Sequence, residues 1–517
     1  MKTDVLIIGS GLAGCAAAWA AAKKNVDVTI LTRAARAEES NTFWAQGGII
    51  YEGKNDSPEL LVRDILTAGA GLSSPAAAAL LSREGPRLVK EILIDEFGVN
   101  FDRSSKNPAE WDLTAEAAHS LPRILHCKDQ TGVAIERAFI QKVSSHPRIK
   151  VVPAANAIDL LTISHHSIEP LDVYRPLACV GAYVLMQATG EIMPILAKET
   201  ILATGGLGRV YLHTTNPPGA GGDGIAMAYR AGARCINMQY VQFHPTAFFQ
   251  PSGRFLISEA MRGEGARLVD SKGHEFMTRF HPDGSLAPRD VVARGIYQMM
   301  LESGEHCAYL DISHKPADQI RDRFPGIYTY CLEHGIDITK ERIPVVPAAH
   351  YSCGGVAADE WGQTNVQRLR AVGEVSCTGL HGANRLASTS LLECLVWGTR
   401  AGAHAADSIM GGGDYYFPPI AGWKYEREPT DPALIAQDWL TIRHTMWNYV
   451  GLIRSDKRLN RAHEILRELH LEISGFYEKA EVTDAIIGLR NAVQTALVIL
   501  LAAKECRQSL GCHYRED

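Results

Sequence analysis

Met1-Lys-Thr-Asp-Val-Leu-Ile-Ile-Gly-Ser-Gly-Leu-Ala-Gly14 is the stretch on which the reading of the whole chain turns. Val5 to Ile8 is an all-apolar run of strand length, as expected of a strand buried on both faces. Gly9, Gly11 and Gly14 follow as G-x-G-x-x-G. Cys15-Ala-Ala-Ala-Trp-Ala-Ala-Ala-Lys-Lys24 is rich in helix formers, and Val26-Asp-Val-Thr-Ile-Leu31 reads as a second strand. Strand, glycine turn, helix, strand is the context in which this motif signals a dinucleotide-binding unit. Gly9 permits the tight turn, Gly11 lets the backbone approach a pyrophosphate, and Gly14 lets the helix pack closely. Ser10, Leu12 and Ala13 complete the turn, and the helix N-terminus offers free N–H groups to phosphates. The acidic residue such units commonly carry after the second strand is absent, and Thr32-Arg33 stands there.

A chain of 517 residues has room for two to four domains on the usual length prior. Its 46% hydrophobic and 21% charged content describes an ordinary globular protein with ample core. A net charge of −6 argues against non-specific nucleic-acid binding. No signal peptide is read at the start, and the late apolar run Ala496-Leu-Val-Ile-Leu-Leu-Ala-Ala503 is too short for a bilayer, so no membrane partner is expected. The 11 cysteines are scattered without C-x-x-C or metal spacing, which points to reduced thiols in the cytoplasm and to no metal site.

Glu39-Ser-Asn-Thr-Phe-Trp-Ala-Gln-Gly-Gly-Ile-Ile50 reads either as backbone held close to a flat ligand or as a bulged loop. Helices are expected over 58–70 and 75–97, each with proline near its start. A polar loop then gathers Glu116, His119, Arg123 and His126, a cluster that is structural or functional on its own evidence. Alternating runs over 150–161, 177–187 and 192–202 predict a β-meander inserted in the dinucleotide domain. Asp223, opening the next helix, is either a plain cap or a ribose ligand. From 237 to about 347 the texture changes to short strands, aromatics and glycines, a second domain inserted into the first. Arg370-Ala-Val-Gly-Glu-Val375 reads as a final strand, and His381 to Glu393 runs into a helix through Ala406. Residues 407–432 read as a linker, and helices near 434–453, 457–477 and 482–506 as a three-helix bundle. The expected fold is therefore α/β: a Rossmann-like nucleotide domain (1–236 and 348–415), an inserted α+β capping domain (237–347), and a C-terminal helical domain (416–517).

Five ordered stretches carry a resemblance that spans nearly the whole chain. They are Thr42-Phe-Trp-Ala-Gln-Gly-Gly48, Gln242-Phe-His-Pro-Thr246, Ser258-Glu-Ala-Met-Arg-Gly-Glu-Gly265, Ala287-Pro-Arg-Asp290 and Asn384-Arg-Leu-Ala-Ser-Thr-Ser-Leu-Leu-Glu393. Together they resemble the flavoprotein subunits of the fumarate reductase and succinate dehydrogenase superfamily and, within it, the L-aspartate oxidases. The resemblance implies FAD rather than NAD, held by Ser10 to Gly14, Arg33, Asn41, Thr42, Phe43, Trp44, Ala45, Gln46, Gly47, Gly48, Asp223, Glu374, Ser390 and Leu391. Superfamily members that attach FAD covalently use a histidine where Asn41 stands here, and Asn lacks the imidazole, so FAD should be non-covalent. The loop Thr114-Ala-Glu-Ala-Ala-His-Ser-Leu-Pro-Arg-Ile-Leu-His126 resembles the oxidase pattern, whose glutamate faces the substrate amino group; Glu116 would pair with the ammonium of L-aspartate. Ser258 replaces a commoner threonine and keeps its hydroxyl, while Ala117-Ala118 replace commoner glycines.

The same resemblance implies a mechanism. Arg385 would take one substrate carboxylate in a bidentate fork, with His244, His350 and Ser258 at the other. Oxidation would send a hydride from the substrate carbon to flavin N5, giving iminoaspartate, with O₂ or fumarate as final acceptor. Arg289 would transfer the proton. Because a guanidinium is a poor acid, it needs a relay, for which Glu259 and Arg262 are three apart on one helical face; the competing reading is a structural salt-bridge network. The leading reading is an L-aspartate-oxidising enzyme on the route from aspartate to quinolinate and NAD, a monomer or homodimer, with quinolinate synthase as a candidate partner. The alternatives are a fumarate reductase or succinate dehydrogenase flavoprotein subunit, and a flavin-binding regulator without turnover, which a pocket so rich in cations disfavours.

Overall fold

The computed structural model describes residues 1–116, 118–250, 255–413, 415–423 and 428–517; Ala117 of the polar loop and parts of the expected 407–432 linker lie outside them. Lys2–Ile8 is the buried opening strand, and Leu12–Ala22 the helix that follows it. Gly9 joins them at φ +116°, where an added Cβ would strike the carbonyl of Ala203. A Cβ on Gly14 would strike the carbonyl of Gly9, so the helix can sit this close to the turn only without a side chain there. The alanine-rich helix then packs along the small residues of Thr389–Met410.

The main sheet has seven strands. Ile149–Val152, Val28–Leu31, Lys2–Ile8 and Glu191–Leu202 lie side by side and parallel. Cys179–Met186 and Ala155–Thr162 extend the sheet antiparallel from Glu191–Leu202. The meander is thus continuous with the nucleotide sheet, because the second half of its 12-residue last strand, from Leu196 to Leu202, pairs with Lys2–Ile8. Leu369–Ala371 pairs in parallel with the end of the same strand. The final strand expected over 370–375 is therefore shorter: Gly373 turns at φ +68° and Gly373–Val375 is a 3₁₀ turn. The helix into which 381–393 was expected to run is Thr389–Met410, which starts behind Ser388 at φ +58°.

Ser57 and Ser74 cap the helices Pro58–Ala68 and Pro75–Leu88, each with proline in the first turn. The second helix was expected to run unbroken to 97; Pro86 lies near its end, and Val89–Glu96 continues as a π-helix.

The inserted segment forms its own antiparallel sheet, Val241–Phe248, Ile343–Ser352, Ala308–Asp311 and Arg267–Val269 in that order, over a core containing Phe248, Ile257 and Ile296. Val241–Phe248 and Ile343–Ser352 carry His244 and His350 back toward the nucleotide sheet. The last three helices, Pro432–Tyr449, Asp456–Lys479 and Asp484–Glu505, share one hydrophobic core with the meander. Asp484–Glu505 is long and apolar enough to cross a membrane by length and composition, but 72% of its apolar window is buried in the protein, the condition of a core helix.

Candidate active site

A cavity of about 450 Å³ runs from the end of the glycine turn to the junction with the inserted sheet. Its nucleotide end is lined by Gly9, Ser10, Gly11, Leu12, Ala13 and Arg33. Gly14 lies beneath, where it admits the helix. The loop after the second strand contributes Asn41, Thr42, Trp44, Ala45, Gln46, Gly47 and Gly48. Phe43 is not part of this wall; its ring meets Trp44 edge to face, 6.0 Å between centroids. Ser390 and Leu391 enter from the first turn of Thr389–Met410.

Arg33 is gripped by two carboxylates. Its Nε donates to Asp484 Oδ1 at 2.7 Å and its Nη1 to Asp223 Oδ2 at 3.0 Å. Burial works against its charge, yet Asp223 and Asp484 outweigh burial and raise its pKa. Asp223 is not the cap of its helix, since Gly222 holds that position; its second oxygen accepts from Asn491 Nδ2 at 2.9 Å. Glu374 accepts from Asn41 Nδ2 at 2.7 Å and from the Ser352 N–H at 3.1 Å. Burial lifts its pKa to about 7, against the pull of those two donors and of Arg385.

The donor set fits FAD. The glycine turn and a helix N-terminus provide an anion cradle. Asn41 Oδ1, Gln46 Oε1 and Thr204 Oγ1 are buried on this wall without protein partners, the state of groups meant to bond a ligand rich in nitrogen and oxygen.

At the other end stand Glu116, His244, Ser258, Glu259, Arg289, His350 and Arg385. His244 Nδ1 accepts from the Thr246 N–H at 3.2 Å, leaving its Nε2 free to donate. Burial first, then the surrounding arginines, hold His244 and His350 well below the ordinary histidine range, so both are neutral. The Arg385 guanidinium lies 4.5 Å from the Tyr351 ring centre, donates to Ser390 Oγ at 3.1 Å, and keeps a buried Nε without a partner. Ser258 Oγ accepts from the Ala260 N–H at 3.2 Å.

Arg289 opens its helix and donates through Nε to Glu259 Oε2. Burial opposes the Arg289 charge, but Glu259 and Glu116 raise its pKa. Arg262 lies outside the cavity wall; its Nη2 is 3.4 Å from Glu259 Oε1, and it is lowered by burial, with Glu259 pulling the other way. The expected helical face is a single turn, Ala260–Gly263, with Glu259 as its N-cap. Glu116 accepts from Ser388 Oγ at 2.9 Å. Arg289 and Arg385 meet Glu116 and Glu259 on the cavity wall, with Arg262 behind Glu259, so this end presents fixed charges of both signs. Among the described residues no group of three or more His, Cys, Asp and Glu could hold a metal ion.

The FAD binding domain family model matches residues 4–391, and the fumarate reductase flavoprotein C-terminal model matches residues 440–517. L-aspartate oxidase 1 of Ralstonia nicotianae is 44% identical over 523 residues, covering 100% of this chain and 96% of the relative. The chain belongs to the L-aspartate oxidase family. L-aspartate oxidase of Halobacterium salinarum is 42% identical over 100% of the chain and 96% of its own length, so the family likeness spans bacteria and archaea. Among solved structures, the E. coli quinol fumarate reductase FrdA superimposes with a TM-score of 0.87 at 25% identity, covering 100% of this chain and 91% of that one. The family is thus an FAD-dependent oxidoreductase family built on the fumarate reductase flavoprotein fold.

Ser388, Tyr351, Thr204 and Asp484 also line the cavity, and sequence reading did not single them out. Ser388 lay inside a quoted motif and had a signal to be found by; Asp484 had none.

Proposed function

We propose that the protein is an L-aspartate oxidase that oxidises L-aspartate to iminoaspartate, with O₂ as acceptor giving hydrogen peroxide or fumarate giving succinate. This is the first step of the quinolinate route to NAD, placed in the cytoplasm. The observation that carries the proposal is Glu116 inside an arginine-rich pocket. L-aspartate brings two carboxylates and one ammonium, groups whose charges are complementary to Arg385, Arg289 and Glu116. Succinate and fumarate offer no ammonium to Glu116, and a carboxylate left unpaired in a desolvated pocket costs several kcal/mol.

In this reading the chain divides into the nucleotide domain (1–236 and 348–415), the inserted domain (237–347) and the helical domain (416–517). FAD is held without a covalent bond by the glycine turn, Arg33, the 41–48 loop, Asp223, Glu374, Ser390 and Leu391, and when bound it supplies two-electron redox chemistry. Arg385 takes one substrate carboxylate in its fork. Neutral His244 donates through Nε2 to the other, beside His350 and Ser258. Neutral imidazoles suit this task because they bond a carboxylate without adding a further positive charge beside Arg289 and Arg385. Arg289 moves the proton that fumarate requires. A proton given up there is replaced through Glu259, whose Oε2 accepts from Arg289 Nε, and then through Arg262, whose Nη2 lies 3.4 Å from Glu259 Oε1. The likeness to FrdA is one of fold; Asn41 and Glu116 favour the oxidase over a dehydrogenase subunit. Production of hydrogen peroxide from L-aspartate by the FAD-loaded protein tests the proposal, and failure to produce it in air or to reduce fumarate with L-aspartate would refute it.

A further inference from the structure

Among the described residues the Glu116 carboxylate accepts one hydrogen bond, from Ser388, yet the loop that carries it is tied down on both sides. Thr114 and Ile124 exchange backbone hydrogen bonds of 3.0 Å in each direction, closing the loop at its base. Ile124 in turn pairs with Ile50, two residues beyond the Gly-Gly pair at the flavin site. This register sets Glu116 against that pair: a Cβ on Gly47 would stand 3.0 Å from Glu116 Oε1.

Three residues past Glu116, His119 Nε2 lies 3.0 Å from the carbonyl oxygen of Ala387, next to Ser388. The Ser120 N–H and Oγ–H both donate to Asp64 Oδ2, at 2.9 and 2.8 Å. Arg123, whose side chain has no exposed surface, donates through Nη1 to the same Asp64 oxygen at 2.9 Å and through Nη2 to Ser120 Oγ at 3.2 Å. Its Nε sits 2.9 Å from Asp56 Oδ2, an ion pair off the N–H direction. A buried guanidinium between two buried carboxylates is an expensive device for holding a surface loop, and neither Arg123, Asp56 nor Asp64 lines the cavity.

We infer that Arg123, with Asp64 and Ser120, is a positioning clamp for Glu116 and thereby sets the preference for an amino dicarboxylate over a plain one. The inference rests on the proposed L-aspartate oxidation. A slack loop still admits fumarate, which makes no use of Glu116, but no longer fixes the carboxylate where the ammonium arrives.

The test is the ratio of kcat/KM for L-aspartate to kcat/KM for fumarate in the FAD-loaded protein. It is measured for the native chain, Arg123→Lys and Ser120→Ala, and for each substitution combined with Glu116→Gln. The clamp predicts a fall of at least about tenfold for Arg123→Lys and about threefold for Ser120→Ala, with no further fall in the Glu116→Gln background. Equal loss toward both substrates, or the same additional fall without the Glu116 charge, overturns it. If Arg123→Lys does not fold, Ser120→Ala, which removes one hydroxyl, decides the matter by the same criteria. A native protein that does not oxidise L-aspartate refutes the functional reading and the clamp together, whereas native oxidation with unchanged ratios in the variants refutes the clamp alone.

Discussion

Ser388 Oγ donates to Glu116 Oε2 across 2.9 Å from a backbone held at φ +58°, a left-handed conformation uncommon for serine. The same oxygen accepts the Gly48 N–H at 3.3 Å. One hydroxyl therefore links the 41–48 loop, the start of the long helix and the carboxylate proposed to face the substrate ammonium.

Removing the Glu116 charge tests that carboxylate directly. Glu116→Gln retains size and an acceptor, so the loss is that of a charge-assisted bond, about 1.5–3 kcal/mol. The KM for L-aspartate should rise by about ten- to a hundredfold in initial-rate assays. An unchanged KM would mean that the ammonium is bound elsewhere.

Arg289→Lys should retain FAD but lose at least about a hundredfold in fumarate reduction, the low end of what a positioned proton donor contributes. Lysine keeps the charge without the Nε that meets Glu259. The flavin absorbance of the purified variant reports retention and a reduced-dye assay reports turnover; near-native turnover would make the Arg–Glu–Arg chain structural only.

Glu374 has its pKa lifted from 4.5 to about 7. A raised carboxyl contributes stability that is fully present below its unfolded value and is lost as pH rises through the folded one. The cofactor-free protein should therefore lose on the order of 3 kcal/mol from this group between pH 4.5 and 7. Glu374→Gln should remove that slope, visible as a higher melting temperature than native at pH 8 and a smaller difference at pH 5. Parallel melting curves across that range would contradict the assignment.

His244 and His350 act with the opposite sign. Their lowered pKa values contribute stability above the ordinary histidine value of 6.5, which is lost as pH falls through their folded values. The cofactor-free His244→Asn/His350→Asn variant should denature less steeply than native as pH drops from 6.5 to 5 in a urea titration series. An equally steep acid loss would place the responsible protons elsewhere.

How far the sequence disclosed the site depended on how local its causes are. The glycine turn and the proline-led helix starts were legible because short-range sterics dictate them. The residues of the proposed substrate end were recognisable as motifs, although the structure draws them from strands and helices far apart in sequence. The last strand came out short because Gly373 takes a left-handed turn that an apolar pattern does not announce. Asp484 was invisible, since only the docking of the last helix on the meander brings it to Arg33, 451 residues away. Phe43 was carried in by its neighbours in the motif, and its side chain does not reach the cavity.

The most direct test of the account is anaerobic mixing of the FAD-loaded protein with L-aspartate or with succinate while the flavin absorbance is followed. Selection by the Glu116 charge predicts bleaching by L-aspartate and little or none by an equal concentration of succinate. Bleaching by succinate with none by L-aspartate would contradict it, and would make the chain a dicarboxylate dehydrogenase with Glu116 as a structural residue.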